Sequence, residues 1–168
     1  MHNSALYVQQ AKQLQDMGAD SIVIKDMAGL LTPYGTYELV KAIKEAVPVD
    51  LAIHSHSTSG LAPLCQLKAI EAGADRIDTS ISAFAGGTSH PSTEAQVAAL
   101  KGSSYETGLD LTKLTAIDDY FREVRKKYQQ FESEFTREEL SVQINQLPSG
   151  MIHHMPEHQK EQKCRDRH

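Results

Sequence analysis

Two stretches of this chain echo each other: MGADSIVI at 17–24 and AGADRIDT at 72–79, offset by 55 residues. Each sets a glycine after a helical run and an apolar, strand-like run after an aspartate. A chain that passes from helix to strand in the same way twice points to a parallel sheet, because parallel neighbours need a crossover, usually a helix. Helix–Gly–Ala–Asp–strand is also a common junction in α/β proteins. The echo therefore bears on fold class and leaves chemistry open.

The rest of the first hundred residues fits that frame. Tyr7, Ala11, Leu14 and Met17 fall at helical spacing behind a cap at Asn3 or Ser4, and Gly18 stops the helix. SIVIKD (21–26) reads as a buried strand. Thr32-Pro33 opens a second helix with a cap residue and a first-turn proline, and Tyr37, Val40, Ile43 and Val47 mark its inner face. LAIHSH (51–56) is the second strand, and a helix over about 61–72 turns Leu64, Leu67 and Ile70 inward. RIDTSIS (76–82) is the third strand, followed by a loop, Pro91 and a helix that ends at Gly102. Beyond it, Leu114, Ile117, Phe121, Val124, Tyr128 and Phe131 recur every three or four residues, with Asp118, Asp119, Arg122, Arg125, Lys126 and Lys127 opposite. That pattern predicts an amphipathic helix over 111–131 that packs on the preceding domain or docks on a partner. The tail, 151–168, is polar. Its His153, His154, His158, His168 and Cys164 could take up metal adventitiously, and a frayed end is the plainer reading.

Composition excludes several classes. The 168 residues amount to about one domain. A net charge of −5 and interspersed signs argue against a nucleic-acid surface. Cys65 and Cys164 make no CxxC spacing and suggest no disulfide framework. No apolar run reaches membrane-spanning length, and MHNSALYVQQ lacks a signal-peptide core, which leaves a cytoplasmic location as the default.

Chemistry in parallel α/β proteins gathers at the carboxyl ends of the strands. The first strand ends in Lys25 and Asp26, the second in His54-Ser55-His56, and the third runs into Asp78, Thr79, Ser80 and Ser82. Residues i and i+2 of a strand point the same way, so His54 and His56 project together, a natural start for a metal site. The alternative is one surface and one hydrogen-bonded structural histidine. Lys25 follows three apolar strand residues, where an ammonium is costly without a partner. It pairs with a carboxylate, reaches for the rim, or has a special task.

At these residues the chain resembles a family. IKDMAGLLTPYGTYELVKAIKEAV, AIHSHSTSGLA, KAIEAGADRIDTSIS, GTSHPSTEAQVAAL and DYFREVRKKYQQFES look like consecutive segments of the carboxyltransferase domain of biotin-dependent enzymes. These include the oxaloacetate decarboxylase alpha subunit, pyruvate carboxylase or its B subunit, and the transcarboxylase 5S subunit. The likeness runs from about residue 5 to 150, and GTSHPSTE leans toward the decarboxylase type. It implies an α/β fold, the last three strand–helix units of a TIM (β/α)8 barrel plus trailing helices. It further implies that His54 and His56 bind a divalent metal, zinc, manganese or cobalt, together with a carbamylated Lys25. Carboxyl transfer between oxaloacetate or pyruvate and biotin, carried on a separate domain, would pass through pyruvate enolate, whose charge the metal stabilises. Implied partners are the keto acid, the biotin carrier domain and the N-terminal half of the barrel. A homo-oligomer and membrane decarboxylase subunits are open options.

The departures carry weight too. A TIM barrel takes eight strand–helix units in about 250 residues, and only three are legible here. The family's early strands, with their metal-binding aspartate and substrate-binding arginine and glutamine, have no counterpart. Nor do the later proton-transfer threonine and the AMKM biotin lysine, and HHMPEH departs from the family run. The expected organisation is a partial barrel over 1–103, a trailing helical region over 104–150 and the tail, and the chain is expected to be a fragment with at most three of four protein ligands. Two alternatives stand: a piece of a related HxH-type metal-dependent TIM-barrel lyase or synthase, against which Lys25 before DMAG argues, and a non-catalytic interaction module that docks through the 111–131 helix. The expected outcome is that the purified 168-residue chain shows little or no carboxyltransferase activity; biotin-dependent oxaloacetate decarboxylation at family-like turnover would refute this.

Overall fold

The computed structural model describes residues 4–132 together with Leu140 and Gln143. Within them the chain runs α1 (Ser4–Asp16), β1 (Ser21–Asp26), α2 (Pro33–Ala46), β2 (Asp50–Ser55), α3 (Ala62–Glu71), β3 (Arg76–Ile77), α4 (Thr93–Leu100) and α5 (Leu111–Lys126). The three strands form one parallel sheet in the order β1-β2-β3, with α2 and α3 as crossovers. The echo has a structural meaning. Gly18 and Gly73 both sit at positive φ, +91° and +100°, where a side chain would be strained. Each is followed by the same helix-ending hydrogen bond, Ala19 N to Leu14 O at 3.1 Å and Ala74 N to Ala69 O at 2.9 Å. Identical caps launch β1 and β3 in the same direction.

The core lies between the sheet and α2. Ile22 and Ile24 of β1 and Leu51 and Ile53 of β2 alternate with residues on the other face, and they meet Leu39, Val40 and Ile43 of α2 and Cys65 and Ala69 of α3. The other face carries Val23, Lys25, Ala52 and His54. In a closed barrel that face is the interior; here Val23 is 51% exposed. Asp75, beside Gly73, ties the lower ends together: it accepts from Lys44 Nζ at 2.7 Å and Leu51 N at 2.8 Å. The Lys44 ammonium holds the Asp75 carboxyl below its ordinary range.

Four sequence expectations need correction. Thr32 is the cap residue of α2 by position, but its side chain makes no cap hydrogen bond; its hydroxyl lies over Gly35, where an added Cβ would stand 2.8 Å away. The inner face of α3 is Ala62, Cys65, Gln66 and Ala69, with Leu64 exposed and Leu67 and Ile70 only half-buried. Small residues let α3 approach the sheet, and Gln66 is drawn in because its amide donates to Asp78 O at 2.7 Å and accepts from Gln96 at 3.0 Å. β3 spans two residues rather than seven, because Ser80 leaves β2 and bonds Pro91 O and Thr93 N instead. Finally, α5 ends at Lys126, and Asp118, placed by pattern on its polar face, is buried. Asp118 accepts from Ala83 N at 2.5 Å and from Arg122 at 2.6 Å, and Arg125 bonds Ala83 O, so α5 grips the short helical turn Ser82–Phe84. Tyr128 and Phe131 are consequently exposed. The tail expectations concern residues outside those described.

Ile53 is fully buried and Leu64 is 52% exposed. Ile53→Ala should therefore cost about 2–5 kcal/mol in urea unfolding, whereas Leu64→Ser should stay within about 0.5 kcal/mol. Equal costs would contradict this assignment of the faces.

Candidate metal centre

The parallel register aligns Lys25 directly with His54 and Asp26 with Ser55. Side chains of aligned residues in neighbouring strands share a face, so Lys25 and His54 emerge side by side. His56 lies one residue past β2, yet its N–H still donates to Asp26 O at 3.0 Å and prolongs the ladder. The Asp26 carboxylate turns back on its own loop and accepts from Leu30 N and Leu31 N, each at 2.9 Å. That loop packs closely on the next. At Gly29, φ +67°, an added Cβ would stand 3.0 Å from the His56 carbonyl oxygen, so only glycine allows the two loops to meet.

Each of three imidazoles has one ring nitrogen spoken for. His54 Nδ1 lies 2.7 Å from Asp78 Oδ2, His56 Nδ1 lies 2.6 Å from Thr88 O, and His90 Nδ1 lies 3.0 Å from Ser55 O. A carbonyl oxygen can only accept, so in His56 and His90 the Nδ1 carries the proton. The carboxylate of Asp78 imposes the same tautomer on His54. In the neutral form of each ring Nε2 is then the nitrogen with the free lone pair, the form in which imidazole binds metal. The ring centroids are 4.4 Å apart for His54–His90, 4.5 Å for His56–His90 and 5.4 Å for His54–His56. One potential ligand nitrogen from each lies within 4.8 Å of those of the other two. Burial lowers the pKa of His56 from 6.5, reinforced by His90 and His54 and opposed by the Thr88 hydrogen bond, so the ring is held neutral.

The structure thus brings Lys25, His54 and His56 to one place. Among the described residues no ion pair involves Lys25, so the salt-bridge explanation of this lysine finds no support. Sequence reading missed His90, because nothing in the spacing of GGTSH to HSH places the two loops together. Asp78 stood among the strand-end groups but without its task of orienting His54. Buried Gln66, which donates to its carbonyl, and buried Gln96, which donates to Gln66, carried no sequence signal. Beside the centre, the Ser55, Ser57 and Thr58 hydroxyls are buried without a partner among the described residues.

The HMGL-like family model matches residues 2–120. The chain is 52% identical over 168 residues to the B subunit of pyruvate carboxylase from Methanocaldococcus jannaschii, covering 99% of this chain and 30% of that protein. It is 41% identical over 169 residues to the methylmalonyl-CoA carboxyltransferase 5S subunit of Propionibacterium freudenreichii subsp. shermanii, covering 99% of this chain and 33% of that one. The structure of the carboxyl transferase domain from Rhizobium etli pyruvate carboxylase with pyruvate and biocytin superimposes with a TM-score of 0.89 at 36% identity, over 95% of this chain and 27% of that one. The chain therefore spans about a third or less of the length of the proteins it resembles, and its three parallel strands match part of a carboxyltransferase TIM barrel.

The lowered pKa of His56 has a signed consequence. Below 6.5 the unfolded chain takes up a proton that folded His56 resists, so folding stability falls as pH drops through that value and gains nothing above it. The ring protons of His56 should titrate with a midpoint below 6.5 by NMR, and urea midpoints should fall between about pH 7 and pH 5. A His56 midpoint at or above 6.5 would contradict the buried, neutral ring.

Proposed function

Within the HMGL-like family, to which this chain belongs, we propose that it forms the metal-bearing part of a biotin-dependent carboxyltransferase. The reaction moves a carboxyl group between biotin and a small 2-keto acid, pyruvate accepting it and oxaloacetate giving it up. The carboxylase and oxaloacetate decarboxylase readings are this one step run in opposite directions. The observation that carries the proposal is the alignment of Lys25 with His54 beside His56, with the imidazole tautomers set by Asp78 and Thr88.

These residues fit a divalent cation. Two neutral imidazoles present Nε2 lone pairs, and the hydrogen bonds at their Nδ1 atoms hold the ring planes. The Lys25 ammonium would first give a proton to water; the neutral amine then attacks carbon dioxide, the N–C bond forms as one C=O π pair moves onto oxygen, the nitrogen passes a second proton to water, and an anionic carbamate replaces the ammonium. Imidazoles with such an oxygen donor suit zinc, manganese or cobalt. When bound, the ion supplies a Lewis acid that polarises the keto acid and offsets negative charge as the carboxyl group arrives or leaves. The chain's own part is to hold the ligands in register, to keep His56 neutral and to cover one side of the centre with the close-packed 26–31 and 56–60 loops. The remaining barrel strands and a biotin carrier domain supply the rest of the pocket.

Purified with bicarbonate and mixed divalent ions and freed of loose metal by gel filtration, the chain should retain near-stoichiometric metal, and the His54→Ala/His56→Ala double variant should lose it. A co-expressed polypeptide carrying the first five strand–helix units of a related carboxyltransferase should then restore biotin-dependent release of pyruvate from oxaloacetate. Equal metal in both proteins, or no metal in either, would overturn the proposal.

A further inference from the structure

We propose that His90 is a third imidazole ligand of the same centre, so that the described residues alone offer a tri-histidine face to the ion whether or not Lys25 is carbamylated. The inference rests on the divalent-metal reading above and adds a ligand to it. Its basis is how the 88–90 segment is held. Three successive residues are fastened to the end of β2: Thr88 O accepts from His56 Nδ1 at 2.6 Å, Ser89 O accepts from Ser57 N at 2.7 Å, and His90 Nδ1 donates to Ser55 O at 3.0 Å. A tight turn supports them from behind, with Ser89 N to Gly86 O and Gly86 N to His90 O, both 2.9 Å. Pro91 follows, and its carbonyl accepts from Ser80 N at 2.9 Å. The ring of His90 is thus pinned on both sides of the residue.

The orientation of that ring is informative. His90 spends Nδ1 on a backbone carbonyl in the same manner as His56, and its centroid lies 4.4 and 4.5 Å from those of His54 and His56. A histidine serving only to tie two loops together needs its Nδ1 alone. Here the ring also brings a ligand nitrogen within 4.8 Å of both partners. Three half-buried imidazoles that converge in this way can share one cation. Three neutral nitrogen donors also favour zinc or cobalt over magnesium or calcium.

The test uses the full chain, Co2+ and Zn2+ as probes, and His90→Gln, whose amide can still donate to Ser55 O while offering no imidazole. In the Co2+ complex, each coordinated ring with a proton on Nδ1 gives one strongly shifted, exchangeable NMR line. Three such lines are expected in the wild type and two in His90→Gln. Zinc affinity by calorimetry should fall in His90→Gln by more than about 100-fold, beyond the loss typical when a group that only hydrogen-bonds to a ligand is removed, and the visible Co2+ spectrum should change. Two lines in the wild type, or unchanged affinity and spectrum in His90→Gln, would overturn the proposal. If that happens while His54→Ala/His56→Ala abolishes binding, the metal centre itself stands. If the wild type binds neither ion, both readings fall together.

Discussion

The parallel ladder between β1 and β2 is the constraint on which the rest of the structure depends. It sets Lys25 beside His54, and it continues one step further through His56 N and Asp26 O. Shifting the pairing by one residue would exchange the two faces of a strand, sending Ile22 and Ile24 out of the core and Lys25 into it. The apolar side of the strands therefore enforces the register that the polar side uses. Burial of Leu51 and Ile53 against Leu39 and Ile43 is, in this sense, what aligns the ligands.

Above the ladder, order comes from hydrogen bonds rather than apolar packing. The loop after β1 is folded back by the Asp26 carboxylate and fits against the loop after β2 only because Gly29 has no side chain. The segment after β3 leaves the sheet early and spends its polar groups on the ends of β2 and α4. Gln66, itself held by Gln96, reaches across to donate to the carbonyl of Asp78, and α5 grips the turn at Ala83 through Asp118 and Arg125. Each partner lies far away in sequence, and each fixes one stretch of backbone from which the centre is built.

The same design explains where helix faces depart from their sequence pattern. In α3 the bulky residues Leu64, Leu67 and Ile70 suggest an inner face, but close approach to the sheet favours Ala62, Cys65 and Ala69, with Gln66 turned in to serve β3. In α5 a charged residue is the buried one, because an unpaired peptide N–H at Ala83 needs an acceptor. Periodicity counts apolar residues and is blind to a buried polar group whose partner comes from another loop.

By itself the sequence determined the order of helices and strands, the parallel sheet, and the pairing of His54 with His56 on one face. Those follow from local rules: glycine caps, a proline in the first turn, alternation along a strand. The kinship of the chain was legible too, because five ordered segments carry it. Only the tertiary structure decided that His90 joins the other two rings, that Asp78 and Thr88 set their tautomers, and that Asp118 is buried. These are contacts between residues 24 to 35 positions apart, brought together by the strand register and by polar groups that must be satisfied once water is excluded.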